Sequence, residues 1–415
     1  MMKNAPLTEL MVNAIDSDDT SLPELINELL STLRVHLGMD VVFISEFKDQ
    51  ERIFRFADAK SKDSPVEAGL CSTLDESYCK KIVDGELPNI IPDTLENTTT
   101  KSMAVTKNLG IRSYMGVPIT LTNGKLYGTL CCFKTEPDAS LIKKDITILR
   151  AFAELAGKRI ERLKQSAMEE EKAKARILSV LNNSQLNMVY QPILDLNGDK
   201  ITKFESLSRF TVEPYRTPDV WFSEAAKIGL GEVLEMHALK LALSDMDKLP
   251  ENVALSLNTS QHNVINGKIA EALQNVDASR VVLEITEHEI ISDYSALKKS
   301  LDSLRRQGVR LAIDDAGAGY STFQHILELN ADIIKLDISL IQNIHLDKNK
   351  NALAKALIVF AKAMGSEIIA EGIENEEELN ECRKLGIHKV QGYYIGRPLP
   401  LAESLKIIEK HRGMH

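Results

Sequence analysis

The sequence predicts an α/β chain in two parts: an N-terminal antiparallel sheet with helices, then a linking helix, then a (β/α)8 barrel carrying one antiparallel strand. Three observations predict it. Before residue 140, β-branched and aromatic runs include YMGVPITLT and LYGTLCCFK, joined at Asn123-Gly124, a strong hairpin signal. Over residues 142–167, apolar side chains recur at alternating steps of four and three, the seam of a long helix. From about residue 175, eight strand-like runs alternate with amphipathic helical stretches, the proportion of a barrel.

Composition bounds the possible functions. A chain of 415 residues is too long for one ordinary domain. Its hydrophobic fraction of 44% and charged fraction of 27% are those of a soluble globular protein. A net charge of −10 argues against a nucleic-acid-coating protein, yet a phosphate ligand remains possible where local cations supply positive charge. The segment MMKNAPLTELMVNAIDSDD lacks a signal-peptide core, and no apolar run reaches about 18 residues, so no membrane span is expected. Cys71, Cys79, Cys131, Cys132 and Cys382 are scattered, odd in number and without CxxC spacing. Reduced thiols in a cytoplasmic protein are the expectation.

In chain order, a helical start over 22–37 leads into the strand-like runs VVFISEF and RIFRFADAK, then a helix over 75–84, then the hairpin. The seam of the following helix is Ile142, Ile146, Leu149, Ala153, Ala156, Ile160, Leu163 and Ala167. It suits either a helix packed on the N-terminal sheet or one strand of a parallel dimeric coiled coil. Its course toward the second part favours the coiled coil.

The eight later runs are MVYQPILDL, ITKFESLSRF, VALSLNTS, VVLEITE, VRLAIDDAG, ADIIKLDISL, EIIAEGIE and KVQGYYIG. Only Asn197-Gly198-Asp199 separates the first two, so one strand should run antiparallel to the rest. Barrel chemistry belongs at the C-terminal ends of the strands. Those ends carry Glu205 and Arg209, Asn258, Glu284 and Glu287, Asp314 and Asp315, Lys335 and Asp337, Glu371 and Glu374, and Gln391. A single strand-end acid more often caps a helix or pairs with a neighbour, as Lys335 would with Asp337 or Asp332. A full ring of them is repulsive unless divalent cations sit among the carboxylates. Oxygen donors without His or Cys favour Mg²⁺ or Mn²⁺, and adjacent aspartates suggest two ions, an arrangement suited to phosphoester hydrolysis. Arg209 suits a substrate phosphate.

Two resemblances follow. GVPITLTNGKLYGTLCCF, preceded by SYCKKIVDGELPNIIPD, resembles a GAF domain, a small sensory fold with a ligand pocket on one face of its sheet. ESLSR, LNTS, LEITE, IDDAGAGYS, IKLD, AEGIE and QGYYIGRP, in that order, resemble the EAL-type cyclic di-GMP phosphodiesterase domain. The resemblances imply a GAF-like domain over 1–165 with its signalling helix starting near 141, a helical linker over 166–180 and a TIM-like phosphodiesterase barrel over 175–411. They also imply a hydrolase that opens cyclic di-GMP to linear pGpG with two Mg²⁺ or Mn²⁺ ions, regulated by the GAF part and dimeric through the linking helix and barrel.

By motif, Glu205, Asn258, Glu284 and Asp314 would bind one ion, and Asp314, Asp315 and Glu371 would surround the other. Lys335 would touch the attacking water, and Glu371 would be the general base. Gln391 would complete the site, and Gln191, Leu207, Arg209 and Glu374 would bind substrate. Glu287 would steady the loop over 315–321, and Glu374 and Asp337 would support the site from behind. Two departures stand out: Ser206 replaces the alanine of EAL, and DDAGAG replaces DDFGTG, removing an aromatic at Ala316. A catalytically silent cyclic di-GMP receptor or adaptor is the rival reading, although every implied metal ligand is present. The GAF ligand is open: neither Cys71 nor Cys79 is followed by the His that a covalently held bilin wants.

Overall fold

The computed structural model describes residues 22–61, 63–317 and 322–412. The N-terminal segment examined for a signal peptide, and 318–321 of the loop assigned to Glu287, lie outside them. The chain divides into two compact units, Met1–Glu169 and Glu170–His415.

Among the described residues, the first unit is built on an antiparallel six-stranded sheet. Its strands are β1 (Val41–Lys48), β2 (Glu51–Ala59), β3 (Cys71–Thr73), β4 (Ile90–Ile91), β5 (Ser113–Thr120) and β6 (Leu126–Lys134), ordered β3-β2-β1-β6-β5-β4. The sheet is covered on both faces, and β1 shows why: Val42 and Ile44 join one apolar cluster while Val41 and Phe43 join another, as a two-residue period requires. The first cluster receives the helix Leu22–Leu37 and the start of the helix Lys143–Asn182. The second receives the helix Tyr78–Val83.

The coiled-coil expectation is corrected here. Leu149, Ala153, Ala156 and Ile160 are buried against Val42, Ile44, Met115, Val117 and Ile119 of their own sheet. Gly157 permits the approach, since a Cβ there would lie 3.1 Å from the Thr120 carbonyl oxygen. The apolar repeat is therefore satisfied within one chain, and Ile142 and Ala167 at its ends are exposed.

The second unit is a closed barrel of β7 (Leu186–Asp195), β8 (Lys200–Phe210), β9 (Ala254–Asn258), β10 (Val281–Thr286), β11 (Arg310–Ala316), β12 (Ile333–Leu336), β13 (Glu367–Ala370) and β14 (Lys389–Gln391). As expected from the Asn197-Gly198-Asp199 turn, β7 is antiparallel to both β8 and β14. Two runs form less strand than their composition suggests. After β12, Asp337 accepts from the Ser339 amide at 2.8 Å and starts the helix Ile338–Ile341. After β13, Gly372 has φ +72, and a Cβ there would meet Ile338 Cγ1 at 2.1 Å, so only glycine fits.

Alternation along the strands builds the interior. Ile193, Val282, Ala312, Ile333 and Ile369 form an apolar layer. Two residues further toward the C-terminal end of each parallel strand stand Glu284, Asp314, Lys335 and Glu371; on antiparallel β7 the step runs backward, to Gln191. Two residues the other way stand Arg310 and Glu367. The same period that fills the middle with aliphatic side chains sends polar ones to both ends.

Candidate active site

Lys335 is fully buried, and its ammonium is the hub of the barrel mouth. Nζ lies 2.8 Å from Glu284 Oε2, 2.8 Å from Glu371 Oε1, 2.9 Å from Asp314 Oδ1 and 3.4 Å from Glu205 Oε2. The simpler pairings to Asp337 and Asp332 do not occur: Asp337 caps a helix, and Asp332 accepts from Arg305 and from the Leu311 amide. Glu205 is steadied by Gln391 Nε2 at 2.5 Å and Asn258 Nδ2 at 3.3 Å. Gln391 Nε2 also donates to Gln191 Oε1 at 3.2 Å.

The adjacent aspartates both reach the mouth because the backbone breaks between them and the next strand. Asp315 has φ 58, its amide donates to Asp314 Oδ1 at 3.0 Å, and the β11–β12 ladder is irregular between Ile313 and Ala316. Glu287 is buried beneath this turn: its amide donates to the Asp314 carbonyl and its Oε2 accepts from the Gly317 amide at 3.4 Å.

Charge is out of balance. Burial, with the Glu205 and Asp314 carboxylates, pushes Glu284 up to about 8 against the pull of Lys335. Burial likewise pushes Glu371 well above the carboxylate range, with Asp314 and Glu205 adding to it. Asp315 rises to about 6 through burial and the neighbouring Asp314 and Asp337. Lys335 loses by burial but is held well above the ordinary lysine value by its four carboxylates.

These residues fit divalent cations. One carboxylate oxygen from each of Glu205, Glu284 and Asp314 falls within 4.8 Å of the others, as does one from each of Asp314, Asp315 and Glu371, so Asp314 is shared. Glu284 Oε1 is buried without a hydrogen-bond partner, an acceptor for which a hard cation is the fitting occupant. Asn258, beside Glu205, adds a neutral amide to the first group.

A cleft of about 500 Å³ opens over the carboxylates, lined among others by Gln191, Leu207, Glu374 and Gln391. Arg209 is not brought into it: it is exposed at the end of β8, with Nη1 donating to the Ser208 carbonyl at 2.8 Å. Ile338 and Tyr393 also line the cleft and were not singled out by sequence, because an apolar or aromatic side chain carries no chemical signature outside its fold. Ser206 turns away from Glu205 as alternation requires, and its hydroxyl donates to the Ser256 carbonyl at 2.8 Å. Ala316 is fully buried.

Residues 174–398 match the EAL domain model, more than half of the chain. The chain belongs to the EAL domain family. Residues 21–160 match the GAF domain model, so a GAF domain precedes the EAL barrel. Cyclic di-GMP phosphodiesterase NbdA of Pseudomonas aeruginosa is 28% identical over 258 residues, covering 59% of this chain and 33% of that protein. Cyclic di-GMP phosphodiesterase PdeF of Escherichia coli is 27% identical over 247 residues, covering 57% of this chain and 33% of that protein. The chain thus spans about a third of the length of these curated relatives. Among solved structures, the PaMucR phosphodiesterase in complex with c-di-GMP superposes with a TM-score of 0.50 at 25% identity, over 56% of this chain and 99% of that one.

Proposed function

We propose that this chain is a phosphodiesterase that hydrolyses cyclic di-GMP to linear pGpG with two Mg²⁺ or Mn²⁺ ions, under control of its GAF domain. The observation that carries this reading is the surplus of oxygen donors at the barrel mouth, gathered in two groups that share Asp314 and opening on a cleft. The matched family and the phosphodiesterases among its relatives supply the substrate.

In this reading Glu205, Asn258, Glu284 and Asp314 hold one ion, and Asp314, Asp315 and Glu371 hold the other. The bound ions supply Lewis acidity at the phosphate and lower the pKa of water. Glu371 would accept a proton from the attacking water at its carboxylate, which lies 2.8 Å from the Lys335 ammonium. Lys335 would touch that water, and it offsets part of the carboxylate charge. Gln391 and Gln191 orient Glu205 and the substrate edge, Leu207 and Glu374 line the substrate cleft, and Arg209, exposed outside that cleft, would have to reach a substrate phosphate by moving its side chain. Glu287 and Asp337 position the turn and the helix beside the site.

The domain division belongs to the same proposal: a sensory part to about residue 165, a helical linker, and the catalytic barrel over 175–411. So do a homodimer and a cytoplasmic location. No described helix is long and apolar enough to cross a membrane.

The test is turnover of cyclic di-GMP by the purified chain in Mg²⁺ or Mn²⁺, followed by chromatography of products. Linear pGpG is expected, and chelation should abolish it. Tight binding without turnover in either metal would instead make the protein a receptor. Light scattering of the same sample reports the oligomeric state.

A further inference from the structure

Away from the barrel, the GAF unit buries a guanidinium beside an unusual counter-group. Arg52 on β2 is 4% exposed, and no carboxylate pairs with it among the described residues. Its Nε and Nη2 donate to Ser72 Oγ at 3.1 and 2.9 Å, and its Cζ lies 4.5 Å from the centroid of the Phe54 ring. Nη1 donates to Cys79 Sγ at 3.5 Å. An arginine does not give up its proton, so a buried one requires an anion nearby.

Cys79 is built to be that anion. Its sulfur is fully buried, accepts from Arg52 and from the Ser45 hydroxyl at 3.8 Å, and lies within hydrogen-bond reach of the Tyr114 hydroxyl at 3.5 Å and Cys131 Sγ at 3.7 Å. Burial pushes the Cys79 thiol up, but the Cys131 S–H, the Arg52 charge and the surrounding hydroxyls outweigh it and hold Cys79 well below the thiol range. Cys131 moves the opposite way, raised by burial and by its charged neighbour. A thiolate with a protonated thiol in van der Waals contact is the arrangement of an attacking and a resolving cysteine. The other cysteines are placed differently: Cys132 packs on the opposite face of β6, Cys382 belongs to the barrel, and Cys71, beside Ser72, is exposed and lines the same cavity as Arg52.

We propose that Cys79 and Cys131 form a reversible dithiol–disulfide couple, oxidised by a hydroperoxide and reduced by a thiol. The Cys79 thiolate attacks the peroxide O–O bond, giving a Cys79 sulfenic acid, and the leaving oxygen takes up a proton as water. The Cys131 thiol then attacks the sulfenic sulfur, forming the Cys79–Cys131 bond and releasing a second water. Two thiols and one hydrogen peroxide thus become one disulfide and two waters. Arg52 and Ser72 also line a cavity of about 650 Å³, which stops at the guanidinium, and Cys79 and Cys131 lie buried behind it. Oxidation removes the anion that Arg52 faces. The stranded guanidinium then has its outlet in that same cavity, where Asp75 and Glu76 also stand. The oxidation state of two sulfurs is thereby linked to the shape and charge of a GAF cavity, whether or not the barrel turns over cyclic di-GMP.

The test uses the full chain, reduced and then treated with hydrogen peroxide, alkylated, digested and mapped by mass spectrometry. The expected result is a Cys79–Cys131 cross-linked peptide pair, lighter by two hydrogens than the free thiols and released by dithiothreitol. In Cys131→Ser, dimedone should label Cys79. In Arg52→Met, oxidation of Cys79 should slow by about tenfold or more, since less of the thiol is ionised. Recovery of Cys79 and Cys131 as alkylated free thiols, while exposed Cys71 is oxidised, overturns the proposal. So does an Arg52→Met protein that oxidises at the unsubstituted rate. The map of the unsubstituted chain decides the matter even if a variant does not fold.

Discussion

At the mouth of the barrel one ammonium, Lys335, faces the carboxylates of Glu205, Glu284, Asp314 and Glu371; at the floor one carboxylate, Glu367, faces Lys203, Arg310 and Lys389 at 3.0, 3.5 and 2.7 Å. Three strands, β8, β11 and β13, supply both ends at the same two-residue period. Their electrostatics diverge all the same. Glu367, despite the cost of burial, is drawn down to about 2 by Lys203 and Lys389, whereas burial and like charge push Glu284 up to about 8. Lys203, fully enclosed, drops to about 8 through burial and the nearby Arg310 and Lys389. At both ends the minority charge is saturated by side chains already in place. At the mouth four carboxylates share one ammonium and Glu284 Oε1 is buried without a partner, so further positive charge has to come from outside the chain. A polar layer of that kind, beside a cleft, marks function, while its counterpart marks structure.

The largest test removes a donor at the mouth. Glu205→Ala should lower turnover of cyclic di-GMP by well over the ~10–100-fold typical of residues that merely support metal ligands, with the far-ultraviolet circular dichroism unchanged. A variant within tenfold of the unsubstituted chain would leave the mouth no more special than the floor. Next, Mg²⁺ or Mn²⁺ at about 100 times its dissociation constant should stabilise the chain by about 2.7 kcal/mol, read as a rise in the unfolding midpoint. Glu284→Gln should lose most of that rise, and an unchanged response would remove Glu284 from the ion site.

At the floor, Glu367→Gln should leave turnover intact and cost about 1–2 kcal/mol in urea unfolding, a figure discounted for a side chain that is 39% exposed. The pH sign follows from a folded value of about 2 against an ordinary 4.5. Glu367 contributes stability above pH 4.5, and that contribution is lost as pH falls toward 2. The unsubstituted chain should therefore weaken over that window more steeply than Glu367→Gln; parallel slopes would contradict the assignment. The smallest effect is expected for Ser206→Ala, which deletes one hydrogen bond to the Ser256 carbonyl: about 1 kcal/mol or less in stability, and turnover within about twofold. A large loss of activity there would show that the hydroxyl holds more of β8 than its single bond indicates.

Much of the site was legible in sequence because its donors sit at strand ends, where a period of two and a recurrent acidic residue are visible without any fold. Glu205, Glu284, Asp314, Lys335 and Glu371 were named that way and do converge. Arg209 was placed with them by the same alternation, but β8 runs on past the mouth, and Arg209 is exposed to solvent. Alternation says which side of a strand a residue faces, not how far along the barrel axis it lies. The seam over 142–167 misled in a related way. A four-three repeat specifies an apolar stripe on a helix, and a sheet of the same chain covers that stripe as well as a second helix would.

Sequence alone determined the two-part division into sheet and barrel, the antiparallel start of the barrel and the oxygen-only chemistry of its mouth, because hydrophobic period, turn residues and donor type are local properties. Only the tertiary structure decided that Lys335 would bridge four carboxylates, that Glu367 would gather three cations, and that Arg52 would meet Cys79 with Cys131 alongside. Those pairings join residues tens to more than a hundred positions apart, and Coulomb energy and burial act on distance in space, which no local pattern records.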